Sequence, residues 1–335
     1  MAGNEGSSAW WSRACRPIVE RPASRGTTHA LCVVHRGRVV HEWYGPGLGP
    51  GSTLISWSVA KSITHALVGI AVADGLVEPS MSGLFPQWAG DERSTIRLDD
   101  LLTMRSGLSW VEDYVDDEAS DVIEMLFGRS THAGDHAGYA ADKELVHPPG
   151  THWLYSSGTT NLITSVLARA LGERRGESTR IGAFAGERLF APLSMSSATI
   201  KCDATGNFVG SSYVYATARD FARFGALYLN DGVVDGARIL PAGWVDGARQ
   251  QVAFDPDMQM GYGRQWWTWP TDDDSLIAHG YRGQLVWVSP HRDLVVVHLG
   301  HTEAEHMPHL RSLLADLVAG CPRSSGPIGN DGGDG

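Results

Sequence analysis

The segment SWSVAKS, residues 56–62, sets Ser58 three positions before Lys61, at the head of the apolar run ITHALVGIAVADGL. Lysine is scarce here: the only others among 335 residues are Lys143 and Lys201, both in segments that read as loop or edge. Residues three apart on the first turns of a helix share a face, so a hydroxyl and an amine at that spacing reach hydrogen-bond distance. A serine hydroxyl is a poor nucleophile without an adjacent base, and Ser-Lys is one arrangement that supplies it. Lys61 serves as that base only when neutral. Burial in a cleft and the positive end of the helix dipole both disfavour the ammonium, and no acidic residue follows within two turns. Lowering a lysine pKa from about 10.4 to about 7.5 costs on the order of 4 kcal/mol, which argues for function rather than accident.

A second constellation lies in HPPGTHWLYSSGTTNLITSVLARALG, where Tyr155, Ser156 and Ser157 form a tight segment before a helix whose expected N-cap is Thr159 or Thr160.

Elements must position these groups. Residues 30–35 and 38–44 read as a hairpin turning at Arg36-Gly37, and a helix over about 58–73 follows, with Ser56 as its expected N-cap and Asp74-Gly75 as its stop. From about 78 to 254 strand signals fade and helical patterns recur in LDDLLTMRSGL, TTNLITSVLARALG and ATARDFARFGALYLNDG. Strands return in YGRQWWTW, GQLVWVSP and DLVVVHLG, with a last helix around 306–318. Trp266, Trp267 and Trp269 alternate faces on the first of these strands, part core and part cleft. The expected class is α/β (α+β): a central antiparallel sheet built from both chain ends, flanked by helices, with a mostly α-helical lobe inserted. Residues 1–77 and 256–320 would form the sheet region, 78–255 the lobe, and 321–335 a disordered tail, with a cleft where the lobes meet.

Together, Ser58-x-x-Lys61 and Tyr155-Ser156-Ser157 resemble the serine β-lactamase and penicillin-binding superfamily, most closely its class C-like branch of esterases and nylon-oligomer (aminohexanoate) hydrolases. LDDLLTMRSGLSW, PGTHWLYSSG, SSYVYATARDFARFGALYLNDG, YGRQWW and HGYRGQLVWVSPHRDLVVVHLG extend the resemblance over nearly the whole chain. It implies that Ser58 is the nucleophile, Lys61 its base and Tyr155 the group that passes a proton to the leaving group; a phenol placed near an ammonium has its pKa lowered, so Lys61 and Tyr155 would share one proton. Where β-lactamases carry Lys-Thr-Gly, this chain has His279-Gly280-Tyr281, and where they carry Tyr-x-Asn it has Tyr155-Ser156-Ser157. The backbone N–H groups of Ser58 and Tyr281 would form the oxyanion hole, with a one-residue slip to Arg282 left open. Tyr114, in SWVEDYVDDEASD, matches a tyrosine that the nylon-oligomer hydrolases carry on a mobile loop against the substrate amide.

The formal charge of -11 and the absence of any Lys/Arg block argue against nucleic-acid or anionic-membrane partners and favour a small neutral or cationic one. No leader pattern opens the chain and no apolar run reaches membrane length, so a cytoplasmic location is expected. Cys15, Cys32, Cys202 and Cys321 are widely spaced and read as reduced structural thiols. HAGDH, residues 132–136, reads as a solvated loop rather than a metal site, and neither metal nor cofactor is expected. No G-x-S-x-G elbow is present, and GPGLGPG reads as a turn. The expected function is a serine hydrolase forming an acyl-enzyme at Ser58 and acting on a small amide or ester. An ATP-independent transacylase using the same acyl-enzyme is the alternative, and a non-catalytic binding module on the same fold is a third. The two motif substitutions also predict a poor β-lactamase.

Overall fold

The computed structural model describes residues 2–114, 120–128 and 132–323. Of the tail expected to be disordered, residues 324–335 lie outside the described residues.

The chain opens with helix α1 (Ala2–Val19), then the hairpin β1 (Thr27–His35) and β2 (Arg38–Tyr44), a short β3 (Leu54–Ile55) and helix α2 (Val59–Ala73). Helices α3 (Leu98–Leu102), α4 (Asp121–Phe127), α5 (His136–Ala141), α6 (Ser157–Ala170) and α7 (Thr179–Ala185) follow. Next come β4 (Thr199–Ile200), β5 (Val214–Ala216), α8 (Ala218–Leu229), β6 (Val233–Val234), β7 (Ala237–Arg238) and α9 (Trp244–Arg249). The chain then runs through β8 (Ala253–Asp255), β9 (Met260–Tyr262), β10 (Trp267–Trp269), β11 (Asp272–Gly280), β12 (Gln284–Ser289), β13 (Leu294–His301) and α10 (Met307–Gly320). Among the described residues no helix is long and apolar enough to cross a membrane.

Eight strands form one antiparallel sheet in the order β2-β1-β13-β12-β11-β10-β9-β8. The two chain ends therefore meet in its interior, where Leu31 faces His298 and Val33 faces Val296. Side chains alternate across the sheet, so each strand must satisfy two cores. Ala30, Cys32, Val286, Val288, Val295 and Val297 pack on one side with α2 and α8. Leu31, Val33, Leu285, Trp287, Leu294 and Val296 pack on the other with α1 and α10. Burial on both faces explains why DLVVVHLG reads as a continuous apolar run rather than an alternating one. A smaller three-stranded sheet, β3-β5-β4, ties the chain before α2 to the segment before α8.

Local expectations shift in several places. Helix α2 begins at Val59 with Ser58, not Ser56, as its N-cap. Ser56 instead anchors to the small sheet: its hydroxyl donates to Ser212 O at 3.0 Å and accepts from Val214 N at 3.1 Å. Ser156, rather than Thr159 or Thr160, caps α6, its hydroxyl accepting from Thr159 N at 3.0 Å. The faded strand signals between 78 and 254 hide β4 to β7, each of two or three residues, too short for any period to show. YGRQWWTW is two strands, because Gln265 takes a left-handed backbone (φ 57°) between them. The Gln265 amide group bonds Thr160 Oγ1, Leu101 O and Leu102 O, fastening α3 to α6. HAGDH is not simply a solvated loop, since His136 is buried and opens α5.

Candidate active site

The chain reaches α2 through Trp57, whose backbone is left-handed (φ 43°), a conformation that a bulky residue holds only when its surroundings impose it. The Ser56 bonds just described fix the residue before it. Ser58 follows, and its side chain makes no capping bond. The first turn closes tightly, with Ala60 N donating to Trp57 O at 2.9 Å and Lys61 N to Ser58 O at 3.0 Å. Every residue of α2 from Val59 to Ala71 is buried, so the Lys61 head group cannot reach bulk water along its stem.

Lys61 is 2% exposed. Its amine lies 3.0 Å from Ser58 Oγ, 2.9 Å from Ser157 Oγ and 3.2 Å from Ser211 O. Burial lowers its pKa from 10.5 to about 8, against the pull of the Glu112 carboxylate, which favours the ammonium. The Tyr155 ring sits beneath the amine, 4.7 Å from centroid to Nζ, and its hydroxyl is hydrogen-bonded to Ser58. That ring is wedged against Trp267 and Tyr262. The expectation of a lowered phenol pKa is wrong for Tyr155: burial, then the negative Glu112, push it upward, with the Ser58 bond opposing them. Lys61 is thus the group that titrates, and Tyr155 stays a phenol.

The end of β11 closes the site. A Cβ added to Gly280 would lie 2.5 Å from Ser56 O and 3.1 Å from Ser58 N, so only glycine lets this strand run so close to the Ser58 amide. Gln284 holds the following turn, donating from Nε2 to Tyr281 O at 2.9 Å and to Gly300 O at 2.8 Å. The Tyr281 ring stacks on Tyr114, centroids 4.4 Å apart, and meets Trp57 edge-on. The Arg282 guanidinium lies over the Tyr281 ring, 5.2 Å from its centroid, and near Glu303. A cleft of about 360 Å³ runs between these walls, lined by Ser58, Tyr155, Trp267, Met258, His279 and Tyr281 and by the carboxylates Glu112, Asp113 and Asp255.

A family model described as Beta-lactamase matches residues 18–319. The chain belongs to the beta-lactamase family. It is 28% identical over 324 residues to the 6-aminohexanoate-dimer hydrolase of Paenarthrobacter ureafaciens, spanning 92% of this chain and 81% of that protein. The octameric penicillin-binding protein homologue of Pyrococcus abyssi shares the fold at a TM-score of 0.70 and 16% identity, over 92% of this chain and 77% of that one. EstCE1, a hydrolase with promiscuous acyltransferase activity, shares it at a TM-score of 0.71 and 14% identity, over 93% of this chain and 99% of that one. The family is one of beta-lactamase-fold hydrolases.

Within this family fold the residues singled out from the sequence converge. Ser58, Lys61, Tyr155, Ser157 and Tyr114 are joined by hydrogen bonds or ring contacts, and Gly280 and Tyr281 border them. His279 lines the cleft but supplies no cation: burial and the nearby Arg311 hold its pKa down to about 3, and its buried Nε2 has no partner among the described residues. Glu112 escaped the sequence reading. Its Oε1 accepts from the Ser157 hydroxyl, and its Oε2 accepts from Ser157 N at 2.8 Å and from Trp110 Nε1. The one signal pointing to it was its place two residues before Tyr114. Among the described residues no group of three or more His, Cys, Asp or Glu side chains could hold a metal ion.

Proposed function

We propose that this chain is a serine hydrolase that forms an acyl-enzyme at Ser58 and hydrolyses a small amide or ester. The observation that carries the reading is a buried amine, its pKa lowered to about 8, 3.0 Å from a serine hydroxyl at a helix N-terminus. Neutral Lys61 takes the Ser58 proton as the Oγ–C bond forms, and the oxyanion accepts from the Ser58 and Tyr281 N–H groups. The ammonium then lies over the face of Tyr155, which favours it electrostatically. The proton returns through the Tyr155 hydroxyl to the departing nitrogen or oxygen as the C–N or C–O bond breaks. Water then attacks the acyl group, Lys61 takes its proton, and Ser58 is released as a hydroxyl.

Amide substrates are favoured by the relative named 6-aminohexanoate-dimer hydrolase. The carboxylates Asp113 and Asp255 that line the cleft suit a neutral or cationic substrate better than an anionic one. The test is covalent labelling: a fluorophosphonate should add one phosphonyl group at Ser58, read by intact mass and peptide mapping, and Ser58→Ala should take none up. A label mapped to any other residue overturns the reading. Product analysis with added amines and alcohols separates hydrolysis from acyl transfer.

A further inference from the structure

We propose that Glu112 is a positioning residue that, acting through Ser157, aims the lone pair of neutral Lys61 at Ser58. The inference rests on the serine-hydrolase reading above and deepens it. An ionised carboxylate only accepts hydrogen bonds. Because Ser157 Oγ bonds Glu112 Oε1, the Ser157 hydrogen must point at Glu112, and only lone pairs remain on that oxygen. These face Lys61 Nζ at 2.9 Å and the Tyr114 hydroxyl. Ser211 O, 3.2 Å from Nζ, is likewise an acceptor alone.

A neutral amine carries two hydrogens and one lone pair. Two of the three neighbours of Lys61 can only accept, so they take both hydrogens. The lone pair is left for the third neighbour, Ser58 Oγ at 3.0 Å, the group whose proton must be removed. Were the Ser157 hydroxyl free to rotate, it could donate to Lys61 and occupy that lone pair. Glu112 is itself fixed, since its other oxygen accepts from Trp110 Nε1 and Ser157 N. The Trp110 ring lies on the first turn of α6, where a Cβ on Gly158 would come within 2.5 Å of it. Among the described residues Glu112 and Tyr155 are titratable groups beside Lys61, the Tyr114 hydroxyl meets Ser157, and Asp113, Asp255 and His279 line the same cleft.

Glu112→Gln tests this at constant size. Two N–H donors converge on the Oε2 position, so the amide oxygen must settle there and the amide NH₂ must face Ser157 Oγ. Ser157 then turns its hydrogen toward Lys61, reversing the one bond at issue. Ester turnover by Glu112→Gln should lose kcat by about thirtyfold or more with KM within about threefold. In a Ser157→Ala background, where no hydroxyl remains to orient, the same substitution should cost less than about threefold. The midpoint of the pH–rate profile should also move below that of the wild type, because a carboxylate favouring the ammonium is gone.

Equal losses in both backgrounds, an unmoved midpoint, or a loss matched by a fall in urea midpoint would overturn the proposal and leave Glu112 as a tether of its loop. If Glu112→Gln does not fold, Ser157→Ala alone decides, and a kcat above about one third of wild type refutes the relay. Phosphonylation of Ser58 in the wild type separates the two readings. No label at Ser58 sinks the hydrolase assignment itself, whereas equal labelling rates in wild type and Glu112→Gln sink only the role of Glu112.

Discussion

Lys61 offers a thermodynamic test that needs no substrate. Its pKa falls from 10.5 to about 8 on folding, and at 2% exposure solvent does little to screen that shift. Between those two values the unfolded chain binds more protons than the folded one, so stability rises with pH across the window. The penalty for holding the ammonium inside is fully present below pH 8 and vanishes above pH 10.5. Lys61→Met removes the titration while keeping an unbranched chain in the same channel. Other titrating groups largely cancel in the difference between the two proteins. From pH 7 to pH 10 the stability of wild type relative to Lys61→Met should therefore grow by about 2.5 kcal/mol. The absolute difference at any one pH is not diagnostic, because methionine leaves Ser211 O short of a donor, at about 1–3 kcal/mol.

Urea unfolding of both proteins at pH 7, 8, 9 and 10 measures the slope. A difference flat within about 0.5 kcal/mol would show that Lys61 enters the fold with an ordinary pKa, and the case for it as base would fall with it. The same group should appear in kinetics. For a neutral ester, kcat/KM should rise with pH to a plateau with a midpoint near 8, since only the amine accepts the Ser58 proton.

Two further outcomes follow from the cleft walls. Gly280→Ala would drive a methyl group to within 2.5 Å of Ser56 O and 3.1 Å of Ser58 N. Urea unfolding should show a loss of about 1–3 kcal/mol, and ester kcat should fall at least tenfold as the oxyanion side is displaced. A near-silent Gly280→Ala would contradict that close approach. Nitrocefin should be turned over far more slowly than p-nitrophenyl esters, because His279 stays neutral and the Ser157 hydroxyl is committed to Glu112. A Ser58-dependent kcat/KM above about 10⁵ M⁻¹s⁻¹ for nitrocefin would refute this.

The parts of the molecule legible in its sequence are those whose cause is local. The hairpin shows in β-branched runs around Arg36-Gly37, α2 in its apolar spacing, and the Ser58–Lys61 pair in three residues of one helical turn. Helix α1 carries such a signal as well: Trp11, Cys15 and Ile18 recur at helical spacing and are buried. The remaining partners are separated too widely for any periodicity to report them. Ser157 and Ser211 meet Lys61 from 96 and 150 positions away, and Glu112 meets Ser157 from 45. The reversed direction at Tyr155 has the same origin, since an ammonium beside a phenol is visible in a motif whereas the burial and the Glu112 charge that outweigh it are properties of the assembled fold.

That distance also explains why a costly lysine is tolerated. A helix buried from Val59 to Ala71 shields the amine from bulk water, so its choices are to lose its proton or to be met by acceptors. Acceptors drawn from two distant segments, Ser157 and Ser211, meet it, and Glu112, the carboxylate that favours the ammonium, is held one hydroxyl away. A carboxylate in direct contact would fix the ammonium and abolish the base. A site with no carboxylate would leave the hydroxyl free to turn. Placing Ser157 between the two lets one carboxylate orient the amine without protonating it, which is why the asparagine of the β-lactamase motif, itself able to donate to the lysine, would not serve the same purpose here.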